Sequence, residues 1–472
     1  MASVRLRLDP GTRLVDDGAV VIGGSPLGLF RLSRSGAAIA RQLSAAPDGL
    51  RVAELPAGHR RLTDRLLAAG ALHPVPDAGD GPPAGDVTVV IPVRLARSAP
   101  ATAPAGLLEL VAAARGEGVR EVVIVDDASP VPVPPIEGAR IVRLDRNVGP
   151  GGARNNGAAT AVSPLVAFVD ADTSPRPGWL APLLTHLADD RVGLVAPRIV
   201  APAQAHGRLA RFEQWRSPLD LGPGPARIRA GSRVSYVPAA ALLVRVEVFR
   251  AMGGFDAGLR FGEDVDLVWR IDEAGWGCRY EPISLVEHAT RSDLRQWVRQ
   301  RYEYGTSAAP LAERHPGALA PARVGGWSVL AWATAALVNV PAGIALGAGT
   351  SAALARKLRP MQHPYAEAFR LAGLGNLFAG RILASALLRA WWPFAVAAVL
   401  VSRRARRVVL AAALVPALVD WARDRPPIDP ASATALRLLD DLAYGTGVWA
   451  GSIRRRTAAP LVPDLGNWPG KR

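Results

Sequence analysis

Three acidic or glycine-rich segments fix what this chain can fold into: VVIVDDASP (122–130), NVGPGGARNNG (147–157) and FVDADTSPRPGWL (168–180). The first and third begin as short runs of apolar, mostly β-branched or aromatic residues and stop at clustered aspartates. That pattern predicts buried parallel strands that deliver carboxylates to their C-terminal edge, where open α/β sheets bind ligands. Asp170 and Asp172, separated only by Ala171, can face one point in space. Paired hard oxygen donors suit Mg²⁺ or Mn²⁺, and those ions suit a diphosphate.

The 472 residues are too many for one typical domain, so two or three units are expected. The net charge of +15 is almost all arginine, since Lys357 and Lys471 are the only lysines. Such a balance favours phosphate-bearing small molecules or anionic lipid as partners. It does not indicate nucleic acid, because neither a zinc finger nor a basic-aromatic single-strand platform is present in the sequence. Cys278 stands alone, so no intramolecular disulfide or cysteine zinc cage forms, and a reducing, cytoplasmic setting is expected for the main body. The first residues, MASVRLRLDPGTRL, carry no apolar stretch of signal-peptide length.

Four segments are expected. Residues 1–76 read as a small module. Short alternating stretches broken by Asp-Pro-Gly, Asp-Asp-Gly and Gly-Gly-Ser turns precede two helical segments, SGAAIARQLSA and HRRLTDRLLAAGAL, as in a winged-helix-like unit. Leu62, Leu66 and Leu67 share one stripe of the second helix. Residues 77–86 are a Gly/Pro/Asp-rich linker. Residues 87–315 alternate strand and helix, which predicts a parallel, doubly wound α/β sheet. Residues 316–472 are an apolar helical region. No charge falls between Val324 and Ala355, and the run 328–349 is long enough to cross a bilayer, which takes about 20 residues. A second apolar stretch, 371–401, is interrupted by Arg381 and Arg389 and followed by the basic cluster SRRARR (402–407). Membrane association is expected from these features together with the Trp391–Trp392 pair.

The segment with Asn147, Gly149, Ala153, Arg154, Asn155 and Gly157 resembles the N-x-G-x-x-x-A-R-N-x-G signature of family 2 glycosyltransferases. The rest follows in order. VTVVIPV (87–93) resembles the family's first strand, VVIVDDASP its nucleotide-binding strand and FVDADTSP its metal-binding D-x-D element. MGGFDAGLRFGEDVDLVWRIDEAGW (252–276) resembles its acceptor-side segment. The resemblance implies a GT-A nucleotide-sugar-binding domain over 87–315 and a metal-dependent, inverting sugar transfer.

The residue types suit those roles. Asp126 or Asp127, at a strand end, can accept hydrogen bonds from a nucleobase or ribose, or can simply form the turn before Ala-Ser-Pro. Arg154 follows a Gly-rich turn at a helix start, where guanidinium and helix N-terminus both favour an anion such as diphosphate. Asn147 and Asn155 shape or cap that turn. Asp172 is expected to ligate the metal, with Asp170 beside it facing ribose or metal, and a metal there acts as a Lewis acid on the departing diphosphate. Glu263, Asp264 and Asp266 open a helix, where acids are favoured by the dipole whatever the function. By resemblance to the family's E-D pair, Asp264 is the expected base for the acceptor hydroxyl and Glu263 its helper. His288, at another strand end, corresponds to a His that relatives place near metal or diphosphate. RQWVRQRYEYG (295–305) does not keep the Q-x-x-R-W of processive relatives, which argues against a chain-extruding mechanism.

The N-terminal segment is similar to small peptide-recognition domains of peptide-derived cofactor pathways. Such a module ahead of a family 2 domain, with an apolar C-terminal region, resembles the glycosyltransferases of the mycofactocin system. That resemblance implies glucose transfer from UDP-glucose to a peptide-derived redox cofactor precursor, a short β-linked glucan product, and a catalytic domain at the cytoplasmic face of the cell membrane. Two other readings stand beside it: a family 2 transferase of cell-wall polysaccharide or glycolipid synthesis, and a non-enzymatic peptide-binding or membrane scaffold.

Overall fold

The structure is a computed structural model that describes residues 4–56, 58–77, 79–96 and 102–466. The chain forms two compact units. One comprises the residues up to Ala205 with Arg216–Thr290; the other comprises His206–Trp215 and the residues from Arg291 onward.

The first unit opens with the small module. Strand Arg5–Leu8 lies between Leu50–Arg51 and Leu72–Val75, antiparallel to both. A separate meander joins Arg13–Val15, Val20–Gly23 and Gly28–Arg31. Helices Arg34–Ala45 and Arg60–Ala68 cover the sheets. Ser33 caps the first helix, its hydroxyl accepting from the Gly36 N–H. Leu66 and Leu67 are buried with Leu6, Leu43 and Leu72, so the helical stripe read from the sequence faces the module's core. Each such leucine contributes about 1.5–3 kcal/mol by leaving water.

Among the described residues, the larger part of this unit is a mixed sheet of nine strands with helices packed against it. Along its main path the order is Thr173–Pro175, Gly277–His288, Val192–Val200, Ala241–Arg245, Leu165–Val169, Val87–Val93, Glu121–Asp126 and Arg140–Arg143. The last four are mutually parallel, as their β-branched runs predict. The all-parallel expectation fails at Ala241–Arg245. That strand runs antiparallel to both Leu165–Val169 and Val192–Val200. Ala241, Leu242, Leu243 and Val244 are all fully buried, and a run buried on both faces carries no polarity pattern that could report its direction.

The reversal matters for the site. Asp126 and Asp170 leave the C-terminal ends of parallel strands at one edge of the sheet. Because Ala241–Arg245 runs the other way, its N-terminal approach, Ala239–Ala240, lies at that same edge. There the Ala240 carbonyl accepts from the Asp170 N–H. Strand Gly277–His288 also ends there, with His288 paired opposite Thr173.

The second unit is helical. The expected α/β boundary near residue 315 moves back to Thr290, because helix Leu294–Thr306 belongs to this unit. Its Trp297 is fully buried against Phe212, Ile428 and Ala433 and donates to Glu213. Arg301 pairs with Glu213 and Asp440. Helix Leu294–Thr306 meets helix Pro430–Arg455 almost backbone to backbone. A methyl group at Gly447 would run into the Tyr302 carbonyl, and one at Gly305 into the Tyr444 carbonyl.

The apolar run 328–349 is not one helix. Gly326–Leu337 stops, and Asn339 starts Val340–Lys357 by accepting from the Ala342 N–H, with Pro341 in the first turn. At 12 residues the first helix is about 18 Å long, short of a bilayer's hydrocarbon core. Among the described residues, the helix long and apolar enough to cross a membrane is Pro364–Arg389, about 39 Å by its 26 residues. Its Arg381 pairs with the buried Asp420.

Candidate active site

The signature segment folds as a turn followed by helix Gly149–Ala159. Gly149 sits at φ +79°, which an L side chain rarely adopts, and Pro150 follows in the first helical turn. Asp127 ties this turn down: its carboxylate accepts from the Val148 and Gly149 N–H groups at 2.7 and 3.0 Å. Asp126 is fully buried and accepts from Ser129 N, Val133 N and the Arg143 guanidinium. Burial works against its charge, but those hydrogen bonds win and hold the carboxyl below its usual value. Of the two uses open to this pair at the sequence level, shaping the loops is the one seen here. Asn147 is exposed on the same turn.

Farther along the helix, Gly157 packs so tightly on Val90 and Val125 that a side chain there would collide with the sheet. Asn155 clamps Phe255 with its amide, donating to the carbonyl at 2.7 Å and accepting from the N–H at 2.9 Å. This fastens the acceptor-side loop to the signature helix.

Arg154 lies on the same helix, 3 % exposed. The sequence assigns it to a diphosphate, yet its guanidinium faces carboxylates. Nη2 donates to Asp170 at 2.5 Å and Nη1 to Glu263 at 3.2 Å, while the group stacks over Phe255 at 5.4 Å. Burial alone would loosen its proton; Asp170 and Glu263 outweigh that and tighten it.

Asp170, Asp172 and His288 come together as the sequence anticipates. One ligand atom from each lies within 4.8 Å of the others, and His288 Nε2 is 3.4 Å from Asp172 Oδ1. The Asp172 carbonyl accepts from Ala289 N, and the Asp170 carbonyl accepts from both Thr173 N and Oγ1, so backbone contacts fix the loop. Two carboxylates and an imidazole in this spacing fit Mg²⁺ or Mn²⁺.

Glu263 and Asp264 begin helix Glu263–Glu273, entered through Gly262 at φ +80°. Burial, reinforced by the neighbouring Asp264, pushes the Glu263 carboxyl up to about 7 against the pull of Arg154. Asp264 is half-buried, and desolvation raises its pKa as well, although Ala239 N and Val265 N both donate to it. Asp266 is structural. It holds Arg270 at 2.8 Å, and Arg270 in turn donates to the Met252 and Gly254 carbonyls. Phe255, in the MGGFDAG stretch, has a structural task that its residue type does not announce. Its floor under Arg154 and its link to Asn155 depend on contacts about a hundred residues apart, with no local signal.

The family model for glycosyl transferase family 2 matches residues 88–251. Over 478 aligned positions the chain is 41% identical to a pre-mycofactocin glycosyltransferase of Mycobacterium tuberculosis (strain CDC 1551 / Oshkosh), covering 98% of this chain and 97% of that one. The chain belongs to the pre-mycofactocin glycosyltransferases of family 2. It is also 32% identical to the succinoglycan biosynthesis protein ExoU of Rhizobium meliloti (strain 1021), over 43% of this chain and 61% of that one. Among solved structures it is similar to the mannosyltransferase PcManGT from Pyrobaculum calidifontis, in complex with GDP-Man and Mn²⁺. There the identity is 20% and the TM-score 0.37, over 64% of this chain and 89% of that one. Family membership and the mixed sheet with its acidic edge make the catalytic domain GT-A. The scaffold reading, in which nothing is catalysed, is set aside by the family.

Proposed function

We propose that this enzyme transfers glucose from UDP-glucose to a pre-mycofactocin acceptor, the peptide-derived redox cofactor precursor. It does so with inversion and builds a short β-linked glucan. The observation that carries the reading is the 41% identity over nearly the whole of both chains. It reaches well beyond the catalytic domain, into the N-terminal module and the helical region.

The chemistry divides between the two acidic elements. Asp170, Asp172 and His288 would hold Mg²⁺ or Mn²⁺. Such an ion, when bound, offsets the charge on the departing diphosphate. Asp264 accepts the proton of the acceptor hydroxyl as its oxygen bonds to the anomeric carbon. The bond to UDP breaks on the opposite face, so one displacement inverts the configuration. The Ala239 and Val265 N–H groups fix the Asp264 carboxylate, and its raised pKa makes it a stronger base than an ordinary aspartate. Glu263 orients the acceptor. Asp127 and Asn147 form the turn against which the nucleoside lies, and Asp126 braces the loop behind it.

The reading includes a site of work at the cytoplasmic face of the cell membrane. It is supported by helix Pro364–Arg389, by exposed apolar residues such as Phe378, Phe394 and Leu400, and by the basic run 403–407. The test is to incubate the enzyme with UDP-glucose, Mn²⁺ and the maturase-processed precursor. Stepwise hexose additions by mass, with β anomeric signals by NMR, are expected. Consumption of a different nucleotide sugar, with UDP-glucose left intact, would overturn the donor; an α product would overturn the inversion.

A further inference from the structure

Arg154 is placed unlike an arginine that receives a diphosphate. Such a residue offers its terminal nitrogens to the cleft. Here Nη2 is taken by Asp170, Nη1 by Glu263, and Nε is buried without a partner above the Phe255 ring. The flanking sequence explains how so large a group fits so close to an acid. A side chain at Gly151 would press on Glu263 and Phe255, both at 3.3 Å, so a glycine there lets the helix approach. The two acids Arg154 joins belong to different halves of the chemistry. Asp170 belongs to the candidate cation site with Asp172, and Glu263 is next to the candidate base Asp264.

We propose that Arg154 is a positioning residue: it bridges the donor-side Asp170 to the acceptor-side Glu263, fixing the distance between the two halves of the site, and does not itself bind the diphosphate. The inference rests on the donor and acceptor assignment above. One guanidinium shared by two carboxylates also links them energetically.

The test uses the full chain with Arg154→Met, Arg154→Lys, Glu263→Gln and the double variant Arg154→Met/Glu263→Gln. Two readouts need no acceptor. Metal-free UDP binding should stay within about twofold of wild type in both Arg154 variants, since no phosphate contact is lost. Arg154→Met should lower the melting temperature by roughly 5–10 °C, because two carboxylates lose their shared counter-charge. Adding Glu263→Gln should recover about half of that loss, the non-additivity expected of directly coupled groups. In the transfer assay at saturating donor, kcat should fall about a hundredfold in Arg154→Met, with partial rescue by Arg154→Lys. A tenfold or larger loss of metal-free UDP affinity in Arg154→Lys would overturn the proposal. So would a melting temperature in the double variant no higher than in Arg154→Met. If wild type binds no UDP either without or with added Mn²⁺, the donor assignment fails, and the melting-temperature cycle still decides whether Arg154 bridges the two acids.

Discussion

The two acidic pairs joined by Arg154 have the same chemistry in opposite surroundings. On the donor side, Asp172 keeps 41 % of its side chain exposed and Asp170 26 %. They sit on a loop at the end of a strand, open to a cation. On the acceptor side, Glu263 keeps 9 %, and burial pushes it up to about 7. Open carboxylates are within reach of an ion; enclosed ones, as burial raises Glu263, are easier to protonate and suit proton transfer. One kind of side chain therefore does two jobs because the strand end and the helix start differ in their access to water.

The sharpest way to break this contrast is Asp264→Asn. Removing the base should lower kcat by up to about ten-thousandfold while donor KM stays near wild type, measured by UDP release. A variant that kept turnover would move the base elsewhere. Asp172→Ala should lower transfer by about a hundredfold to a thousandfold and abolish its response to added Mn²⁺, read in a cation titration of rate. His288→Ala should weaken Mn²⁺ binding by about 10–100-fold, followed by paramagnetic resonance of the free ion. The smallest effect is in pH. Burial raises the Asp264 carboxyl, so it takes up its proton at a higher pH than an ordinary aspartate, and kcat should fall in acid by about tenfold per unit once the base is protonated. Glu263→Gln removes one of the two like charges, so the acidic limb should move down by on the order of one unit. A limb that did not move would mean that the two carboxyls titrate independently.

Much of the site was legible because its parts are local. The runs ending at Asp126 and Asp170 specify strands, the Gly-Pro-Gly-Gly stretch specifies a helix start, and the Glu-Asp pair ahead of a helical stripe specifies acids in a first turn. What joins them was not legible. Arg154 and Glu263 are 109 positions apart, and their meeting depends on the antiparallel return of Ala241–Arg245, which brings Ala239 to Asp264 and Ala240 to Asp170. Direction cannot be read from a strand buried on both faces. The apolar run 328–349 illustrates the reverse error. Its composition suggested one long helix, while the Asn-Val-Pro at 339–341 is a capping signal that composition overrides only on paper.

The glycines between helices Leu294–Thr306 and Pro430–Arg455 carry a consequence for how the second unit survives a change of medium. Helices that touch through carbonyls and Cα atoms are held by short-range dispersion, and that attraction does not depend on expelling water. That part of the contact is lost neither in oil nor in detergent, unlike one that depends on expelling water. Its weakness is size: one added carbon at Gly447 would wedge the two helices apart at Tyr302, in any of those surroundings.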